Sequence, residues 1–331
     1  MATIREVASR AGVSTATVSR ALNGKSTVDP DLAARVLTAA DDLGYRPNGP
    51  ARNLRRQETA VLALIISDVE SPFFTALSRG VEDVAHAAGY SLVLCNSDDD
   101  PDKEQEYVEV ALQERVAGVL LSPTGRGDST QDLRSRGAPV VAVDRPLPDS
   151  PGDAVLADTR LAAKQAVLHL AAQGYRSIGC VTGPSGVPTA EDRLAGYRDG
   201  LREAGLEQRA ERVRHCEFKA PGAKEAAGVL MSGADAPDAL LVANNIMAVG
   251  VLELLAERGL RPGRDVGVVA FDDAPWATLL DPPLTVVSQP AYAMGEAAAR
   301  LLLDRIAGDE TQTSTTTLSA ELVVRGSTKK Y

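Results

Sequence analysis

From Val61 onward the chain alternates short apolar segments with amphipathic segments of helical period. The predicted strands are 60–67, 91–96, 116–122, 138–144, 177–183, 213–218, 239–244 and 265–272. The predicted helices of this region are 75–89, 103–115, 159–173, 190–204, 222–232, 246–258 and 291–307. Short apolar strands that alternate with helices are typical of parallel sheets covered by helices on both faces.

The alternation falls into two similar runs, near 61–158 and 160–288. We therefore expect two doubly wound α/β subdomains, one of about 60–159 with 291–316 and one of 160–290 with 317–331. In such sheets a ligand binds beyond the carboxyl ends of the strands. The residues that follow each predicted strand are thus the candidates for a binding site.

The first 45 residues have a different pattern, that of three short helices. Apolar residues recur at i, i+3, i+4 and i+7 over 4–11, and Gly12 ends that helix. Ser14 suits the N-cap of a second helix over 15–22, and a third helix is predicted from about 30 to 43. A helix, a turn containing glycine and a second short capped helix are the signature of a helix-turn-helix.

The second of these helices carries small hydroxyl side chains and one arginine, in the stretch GVSTATVSRALNG. A helix of this kind enters the DNA major groove and presents its N-terminal residues to base edges. Ser14 and Thr17 suit phosphate or base contacts, and Arg20 suits the O6 and N7 atoms of guanine. Thr15 and Ala16 are small enough for close approach. The alternative is an ordinary helical hairpin whose Ser and Thr only cap helices.

The distribution of charge agrees with a DNA-binding head. Residues 1–60 hold nine basic and six acidic side chains, whereas the remaining residues hold 26 basic and 39 acidic ones. A small basic head on an acidic body indicates that only the head meets a polyanion. Chance variation of the surface is the alternative explanation.

Length and composition limit the other classes of protein. A chain of 331 residues suggests roughly two or three domains. The three cysteines are scattered and the three histidines lack ligand spacing, so we expect no disulfide, metal or cofactor. The N-terminus lacks the apolar segment of a signal peptide, and no apolar run approaches the roughly 20 residues of a membrane span. We expect a cytoplasmic protein without membrane contact.

Motifs of the common enzymes are missing as well. The sequence contains no G-x-S-x-G, no G-x-G-x-x-G after the first strand and no Walker-type phosphate loop. We therefore expect no catalytic residues and no enzyme. A sugar-binding or sugar-modifying α/β protein that does not bind DNA is the competing hypothesis.

The segment TIREVASRAGVSTATVSRALNGKSTVDPDLAARVLTAADDLGYRPNGPARNLR resembles the headpiece of the LacI/GalR family of transcription regulators. The resemblance extends to the last segment, LVVRGST. It implies a small all-α helix-turn-helix head (1–47), a hinge helix and linker (48–59) and an α/β body similar to periplasmic binding proteins (60–331). It also implies operator contacts by Thr3, Ser14, Thr15, Ala16, Thr17, Arg20, Asn23, Tyr45, Asn48, Arg52 and Leu54.

The resemblance implies particular roles for the second helix of the head and for the hinge. Thr15, Ala16 and Arg20 match the family's base-reading positions, and Leu54 matches the leucine that wedges into the minor groove. The hinge, 48–56, matches the segment that folds when a dimer sits on its operator. Gly49-Pro50 departs from the usual start of that hinge, and the glycine raises the free energy needed to order it.

Polar and aromatic residues follow most of the predicted strands of the body. The candidate ligand-binding residues are Ser71, Phe73, Phe74, Asp144, Arg145, Arg193, Phe218, Asn244, Asp272 and Gln289, with Arg193 expected at a helix start. Aromatic faces suit the apolar face of a sugar ring, and carboxylate, guanidinium and amide groups suit its hydroxyls. Trp276 is expected either at the rim of the cleft or in packing at the subdomain crossover.

This set resembles, position by position, that of ribose-binding proteins and ribose-responsive regulators. Ser71 and Asn245 depart from that pattern, which prefers asparagine at the first position and aspartate at the second. We predict a homodimeric regulator, a repressor of a sugar uptake or catabolic operon, that reads a pseudo-palindromic operator and binds a ribose-like pentose. Another sugar or polyol, or a nucleoside or purine, remains the alternative effector.

Overall fold

The computed structural model describes residues 3–22, 28–43, 59–125, 129–148, 152–233, 235–309 and 311–329. The chain divides into two compact units, residues 1–59 and residues 60–331. We refer to them as the head and the body.

The described part of the head consists of three helices: α1 (Ile4–Ala11), α2 (Thr15–Leu22) and α3 (Pro30–Asp42). These bounds agree with the helices predicted from sequence to within one residue. The helices pack through a small apolar core made of Val7, Ala8, Ala11, Val18, Ala21, Val36, Ala39 and Ala40. Because most of these side chains are small, the helix backbones approach closely.

Local capping holds the ends of α1. Thr3 and Glu6 form a reciprocal capping box, in which the Thr3 backbone N–H donates to Glu6 Oε2 at 2.6 Å. At the other end Gly12 adopts φ of 64°, a left-handed conformation that glycine tolerates best. The Arg35 guanidinium donates to the Ala11 carbonyl at 2.6 Å, which ties α3 to the end of α1.

The body contains two six-stranded sheets, and we call each sheet with its helices a lobe. In the first lobe all neighbouring strands are parallel. Their spatial order is β11 (Thr315–Leu318), β5 (Asp153–Ala157), β4 (Val140–Val143), β3 (Gly118–Leu121), β1 (Val61–Ile66) and β2 (Ser91–Asn96). The helices of this lobe are α4 (Pro72–Ala87), α5 (Pro101–Gln113), α6 (Gln131–Ser135) and α11 (Ala291–Ile306).

Strand β1 shows how the first sheet is buried on both faces. Leu62, Leu64 and Ile66 pack into one apolar cluster with α4 and α11. Ala63 and Ile65 point to the opposite face and pack with α5 and α6. Alternation of side chains along a strand thus supplies both cores, which is why the sequence of β1 is continuously apolar.

The second lobe repeats this arrangement with one antiparallel edge. Its spatial order is β12 (Glu321–Val323), β10 (Thr285–Ser288), β9 (Gly267–Phe271), β8 (Ala239–Val242), β6 (Ile178–Thr182) and β7 (Val213–His215), with β12 antiparallel to β10. Helices α7 (Thr159–Ala172) and α8 (Pro188–Glu203) cover one face. Helices α9 (Ala220–Leu230) and α10 (Asn245–Glu257) cover the other.

The chain crosses between the lobes three times. The crossings lie between β5 and α7, between β10 and α11, and between β11 and β12. The last one follows Leu318, slightly later than the 316–317 boundary expected from sequence. Strands β5, β10, β11 and β12 and helix α6 were absent from the predicted elements. The segments of β11 and β12 are largely exposed and lack a continuous apolar run.

Candidate functional sites

A cavity lies between the two lobes of the body, at the carboxyl ends of the parallel strands. It holds about 410 Å³ of space, the solvent at its mouth included. Its lining contains all ten residues that the sequence proposes as ligand-binding. Five further residues line it that the sequence reading missed: Ser67, Asp68, Asp99, Thr189 and Ile246.

Two buried aspartates occupy equivalent places in the two lobes. Asp144 follows β4 and Asp272 follows β9, and their backbone φ angles are 67° and 70°. Left-handed backbone is uncommon for residues other than glycine, although aspartate tolerates it better than most. This sparsely populated conformation is typical of functional sites. Here it turns the end of each strand toward the cavity.

Burial raises the pKa of both carboxyl groups. For Asp144 the positive charges of Arg145 and Arg193 oppose this effect, and for Asp272 Arg193 and the hydrogen bond from Gln289 do so. The negative charge of Asp144 raises the pKa of Asp272 further. Negative charge on these buried carboxylates is therefore electrostatically unfavourable. Ligand hydroxyl groups that donate hydrogen bonds to them would make it less unfavourable.

Arg145 is buried among the residues that the first lobe contributes to the cavity. Its Nη1 atom donates to Asp99 Oδ1 at 2.5 Å and to the Pro123 carbonyl at 3.3 Å. Its guanidinium also lies 5.8 Å from the centre of the Phe218 ring, which belongs to the second lobe. Asp99 thus positions Arg145, and the arginine in turn meets the opposite wall of the cavity.

Arg193 holds the corresponding place in the second lobe. Its Nη1 atom donates to the Ala243 carbonyl at 2.5 Å, and its guanidinium lies 4.5 Å from the centre of the Phe271 ring. The sequence placed Arg193 at a helix start, which is wrong. Helix α8 begins at Pro188, because proline suits the first turn, and Arg193 lies in the second turn.

Three buried polar atoms of this cavity have no hydrogen-bond partner among the described residues. They are the Nε atoms of Arg145 and Arg193 and the Oε1 atom of Gln289. The other end of the Gln289 amide is fixed, since Nε2 donates to Asp272 Oδ1 at 2.6 Å. Arg145 Nε lies 3.6 Å from Asp144 Oδ2, within an ion pair but beyond hydrogen-bond distance. Buried polar groups are rarely left without a hydrogen bond, so these side chains are candidates to bond a polar ligand.

Aromatic rings form the apolar part of the lining. Phe73 and Phe74 meet edge to face with ring centres 5.0 Å apart, and both also belong to the core of the first lobe. Phe218 lies opposite, in the loop after β7, which ends at His215 rather than at the predicted 218. The ring passes over Gly183, where a Cβ atom would lie 2.2 Å from Phe218 Cζ.

Two of the smaller candidates have contrasting positions. Asn244 is the N-cap of α10, and its Oδ1 accepts from the Met247 N–H at 2.7 Å, which leaves its Nδ2 for a ligand. Ser71 precedes α4 and makes no capping bond with its side chain. Trp276 packs against the core of the second lobe and is not among the cavity's lining residues, which favours the packing alternative.

Three of the five missed lining residues lie just after a strand, as most of the predicted ones do. Ser67 and Asp68 directly follow β1, and Asp99 lies just beyond the end of β2. Asp99 also has left-handed backbone, with φ of 57°. Applying the strand-end rule to these first two strands would have found all three; Thr189 and Ile246, on helix starts, gave no such signal.

The head presents α2 as its candidate DNA-binding element. Ser14 Oγ accepts from the Thr17 N–H at 3.1 Å, which is the predicted N-cap. Thr15 and Arg20 are exposed, Thr17 is half-buried, and Val18 and Ala21 face the core. The hydroxyls of Thr3 and Ser14 thus have capping roles, while Thr15 and Arg20 project from the helix.

Several predicted DNA contacts lie outside the described residues. Ala16 lies within α2. The candidates outside the described residues are Asn23, Tyr45, Asn48, Arg52 and Leu54, together with the hinge at 48–56.

Neither a metal site nor a membrane span is found in the described ranges. No group of three or more His, Cys, Asp or Glu side chains there is arranged to hold a metal ion. None of the helices in that part of the chain has the length and hydrophobicity that crossing a membrane requires.

A helix-turn-helix head together with a two-lobed body and a polar cleft defines the class of ligand-responsive transcription regulators. Residues 3–48 match the family model of bacterial regulatory proteins of the lacI family. Residues 167–328 match the model of a periplasmic binding protein-like domain.

Comparison with individual proteins gives the same result over the whole chain. The ribose operon repressor of Bacillus subtilis (strain 168) is 38% identical over 92% of this chain and 91% of its own length. The HTH-type transcriptional repressor PurR of Photobacterium profundum is 32% identical over 99% of both chains. The crystal structure of the lac repressor dimer bound to operator and the anti-inducer ONPF matches with a TM-score of 0.84 and 26% identity, over 99% of each chain.

The chain belongs to the lacI family of bacterial regulatory proteins. It is a DNA-binding transcription regulator and not an enzyme. The prediction of its fold class, a helix-turn-helix head with a body like periplasmic binding proteins, is confirmed.

Proposed function

We propose that this regulator is a repressor of a sugar uptake or catabolic operon and that its effector is a ribose-like pentose bound between the lobes. The observation that carries the proposal is one cavity lined by Asp144, Asp272, Arg145, Arg193 and Gln289, the last three of which each have one buried polar atom without a hydrogen-bond partner among the described residues. Carboxylates accept from neighbouring hydroxyls and guanidinium groups donate to them. Phenylalanine rings on both walls suit the less polar faces of the sugar ring.

The charge of the cavity favours a neutral ligand. Its lining contains four aspartates and two arginines, and Lys219, which pairs with Asp68, leaves one carboxyl group in excess of the cations. A phosphorylated sugar would add negative charge to this buried set, whereas a free sugar brings only hydroxyl dipoles. The similarity to ribose operon repressors supports the same class of effector.

The roles of the segments follow from this proposal. Residues 1–47 form the DNA-binding headpiece, 48–59 the hinge and linker, and 60–331 the effector-binding and dimerisation domain. The protein acts in the cytoplasm as a homodimer on a pseudo-palindromic operator, with α2 of each copy in the major groove. The lac repressor structure, a dimer on its operator, supports that assembly.

Titration calorimetry of the full-length protein with ribose tests the effector directly. We expect saturable binding of ribose, and no comparable binding of ribose 5-phosphate. The same protein, titrated by fluorescence anisotropy onto the DNA upstream of its own gene at fixed salt, will show a ribose-dependent change in affinity. Binding of adenosine or hypoxanthine in place of ribose would refute the pentose assignment and leave the DNA-binding role intact.

Replacing Gly183 by alanine tests the placement of Phe218. The added methyl group overlaps the ring, so Phe218 must turn away and the cavity loses one aromatic wall. We expect ribose affinity in calorimetry to fall about tenfold, or about 1.4 kcal/mol. Gly228→Ala is the matched control, since its Cβ atom meets nothing closer than 3.8 Å. Equal ribose affinities of the two variants would contradict this role of Phe218.

A further inference from the structure

Among the described residues, an ion pair joins the two lobes at the edge of the cavity. Lys219 Nζ donates to Asp68 Oδ2 at 2.8 Å. Asp68 directly follows β1 of the first lobe and lines the cavity. Lys219 belongs to the second lobe, where it follows Phe218 and precedes α9. The pair therefore forms only when the two walls of the cavity are close together.

The acidic groups near Lys219 attract it toward the first lobe. The acidic groups that act on its ammonium are Asp68, Asp98 and Glu70, all from the first lobe. Burial acts to lower the pKa of Lys219, but the hydrogen bond to Asp68 and these charges outweigh it and raise the pKa. The lysine thus stays charged at neutral pH and is attracted to the opposite lobe.

Asp68 is fixed for this contact by its own loop. Its Oδ1 atom accepts from the Glu70 N–H at 3.0 Å, which leaves Oδ2 for Lys219. The Asp68 side chain is 12% exposed and that of Lys219 is 42% exposed. A pair of this kind is partly shielded from solvent, so it stabilises contact more than a pair on the open surface does.

We propose that Asp68 and Lys219 form a latch that favours closure of the lobes and selects effectors small enough to permit it. This inference rests on the proposed function, in which the effector binds between the lobes. A single sugar ring lets the walls meet and the pair form. A ligand with a second ring, such as a nucleoside, holds the walls apart and loses the contribution of the pair.

The test compares Lys219→Met with Lys164→Met in the full-length protein. Lys164 pairs with Glu203 at 2.6 Å within the second lobe, so its loss removes a similar ion pair without affecting closure. Hydrogen–deuterium exchange of the ligand-free proteins is measured first. We expect faster exchange in residues 67–75 and 217–223 of Lys219→Met only, because the lobes open more often.

Calorimetry then measures selectivity. We expect Lys219→Met to bind ribose about fivefold more weakly than wild type and to bind adenosine no more weakly than wild type does. In a double-mutant cycle with Asp68→Asn, which keeps the acceptor for Glu70, the second substitution adds little to the first. Identical exchange in the Lys219→Met and Lys164→Met proteins would overturn the latch.

The two proposals fail in different ways. If neither ribose nor adenosine binds the wild-type protein, the proposed effector is wrong, and the exchange comparison still decides the latch. If ribose binds wild type and Lys219→Met with equal affinity, the effector stands and the latch is wrong.

Discussion

Replacing Asp272 by asparagine will leave a folded repressor that no longer responds to its effector. The carboxylate is the acceptor that the second lobe contributes, and it is held by left-handed backbone and by the Gln289 amide. Asparagine keeps the shape and one acceptor oxygen but replaces the other with a donor. A ligand hydroxyl at that place then meets an N–H group, so its own donor is left unpaired.

The expected loss of ribose affinity is about a hundredfold, or about 2.7 kcal/mol, as is common when a buried charged partner is removed. Operator affinity without ribose should remain that of wild type, since the substitution lies in the body. Calorimetry measures the first quantity, and fluorescence anisotropy on operator DNA measures the second. A variant that binds ribose normally would remove Asp272 from the site.

The same variant should be more stable than wild type without effector. Burial raises the pKa of Asp272 in the folded state, so folding favours the protonated form. As the pH rises from the pKa of Asp272 in the unfolded chain to its higher pKa in the folded protein, ionisation of this carboxyl group lowers the free energy of unfolding. Asp272→Asn removes this loss, because the amide does not ionise. We expect a higher free energy of unfolding at pH 7, with a difference from wild type that shrinks toward pH 3, measured by urea denaturation.

Replacing Arg20 by alanine will have the converse effect on function. Arg20 is exposed on α2, whose apolar side chains Val18 and Ala21 face the core of the head. Its guanidinium is suited to the two acceptors of a guanine base in the major groove, a contact worth about 1–3 kcal/mol in discrimination. Specific operator affinity should fall by roughly tenfold to a hundredfold.

Two controls separate base reading from general attraction to DNA. Affinity for unrelated DNA at the same salt should fall much less than affinity for the operator. Arg5→Ala is a matched variant, since Arg5 is an exposed arginine on α1 of the same head. Ribose binding by Arg20→Ala should equal that of wild type. An equal loss on specific and unrelated DNA would show that Arg20 serves only as a phosphate contact.

The sequence predicted the order of the main elements and the lining of the cavity for one physical reason. Parallel strands are buried on both faces, so their apolar runs are conspicuous and their carboxyl ends can be located. Asp144 and Asp272 were found in this way because each directly follows such a run. Phe218 was found although its strand is shorter than predicted, since the loop after β7 still reaches the cavity.

What the sequence did not predict depends on contacts between distant segments. The hydrogen bond that Asp99 accepts from Arg145 joins residues 46 positions apart, so the positioning role of Asp99 was not predictable from sequence. The need for glycine at 183 depends on a ring that another strand supplies. Strand β11, of sequence TTTL, carries no apolar pattern and is defined only by its pairing with β5.

One of the three crossings between the lobes also carries a residue of the cavity. Gln289 lies between β10, which belongs to the second sheet, and α11, which packs on the first. A ligand bonded to this amide therefore pulls on the connecting segment itself, whereas ligands bonded to Asp144 or Asp272 pull on the walls. One of the three connections between the lobes therefore takes part in ligand binding directly.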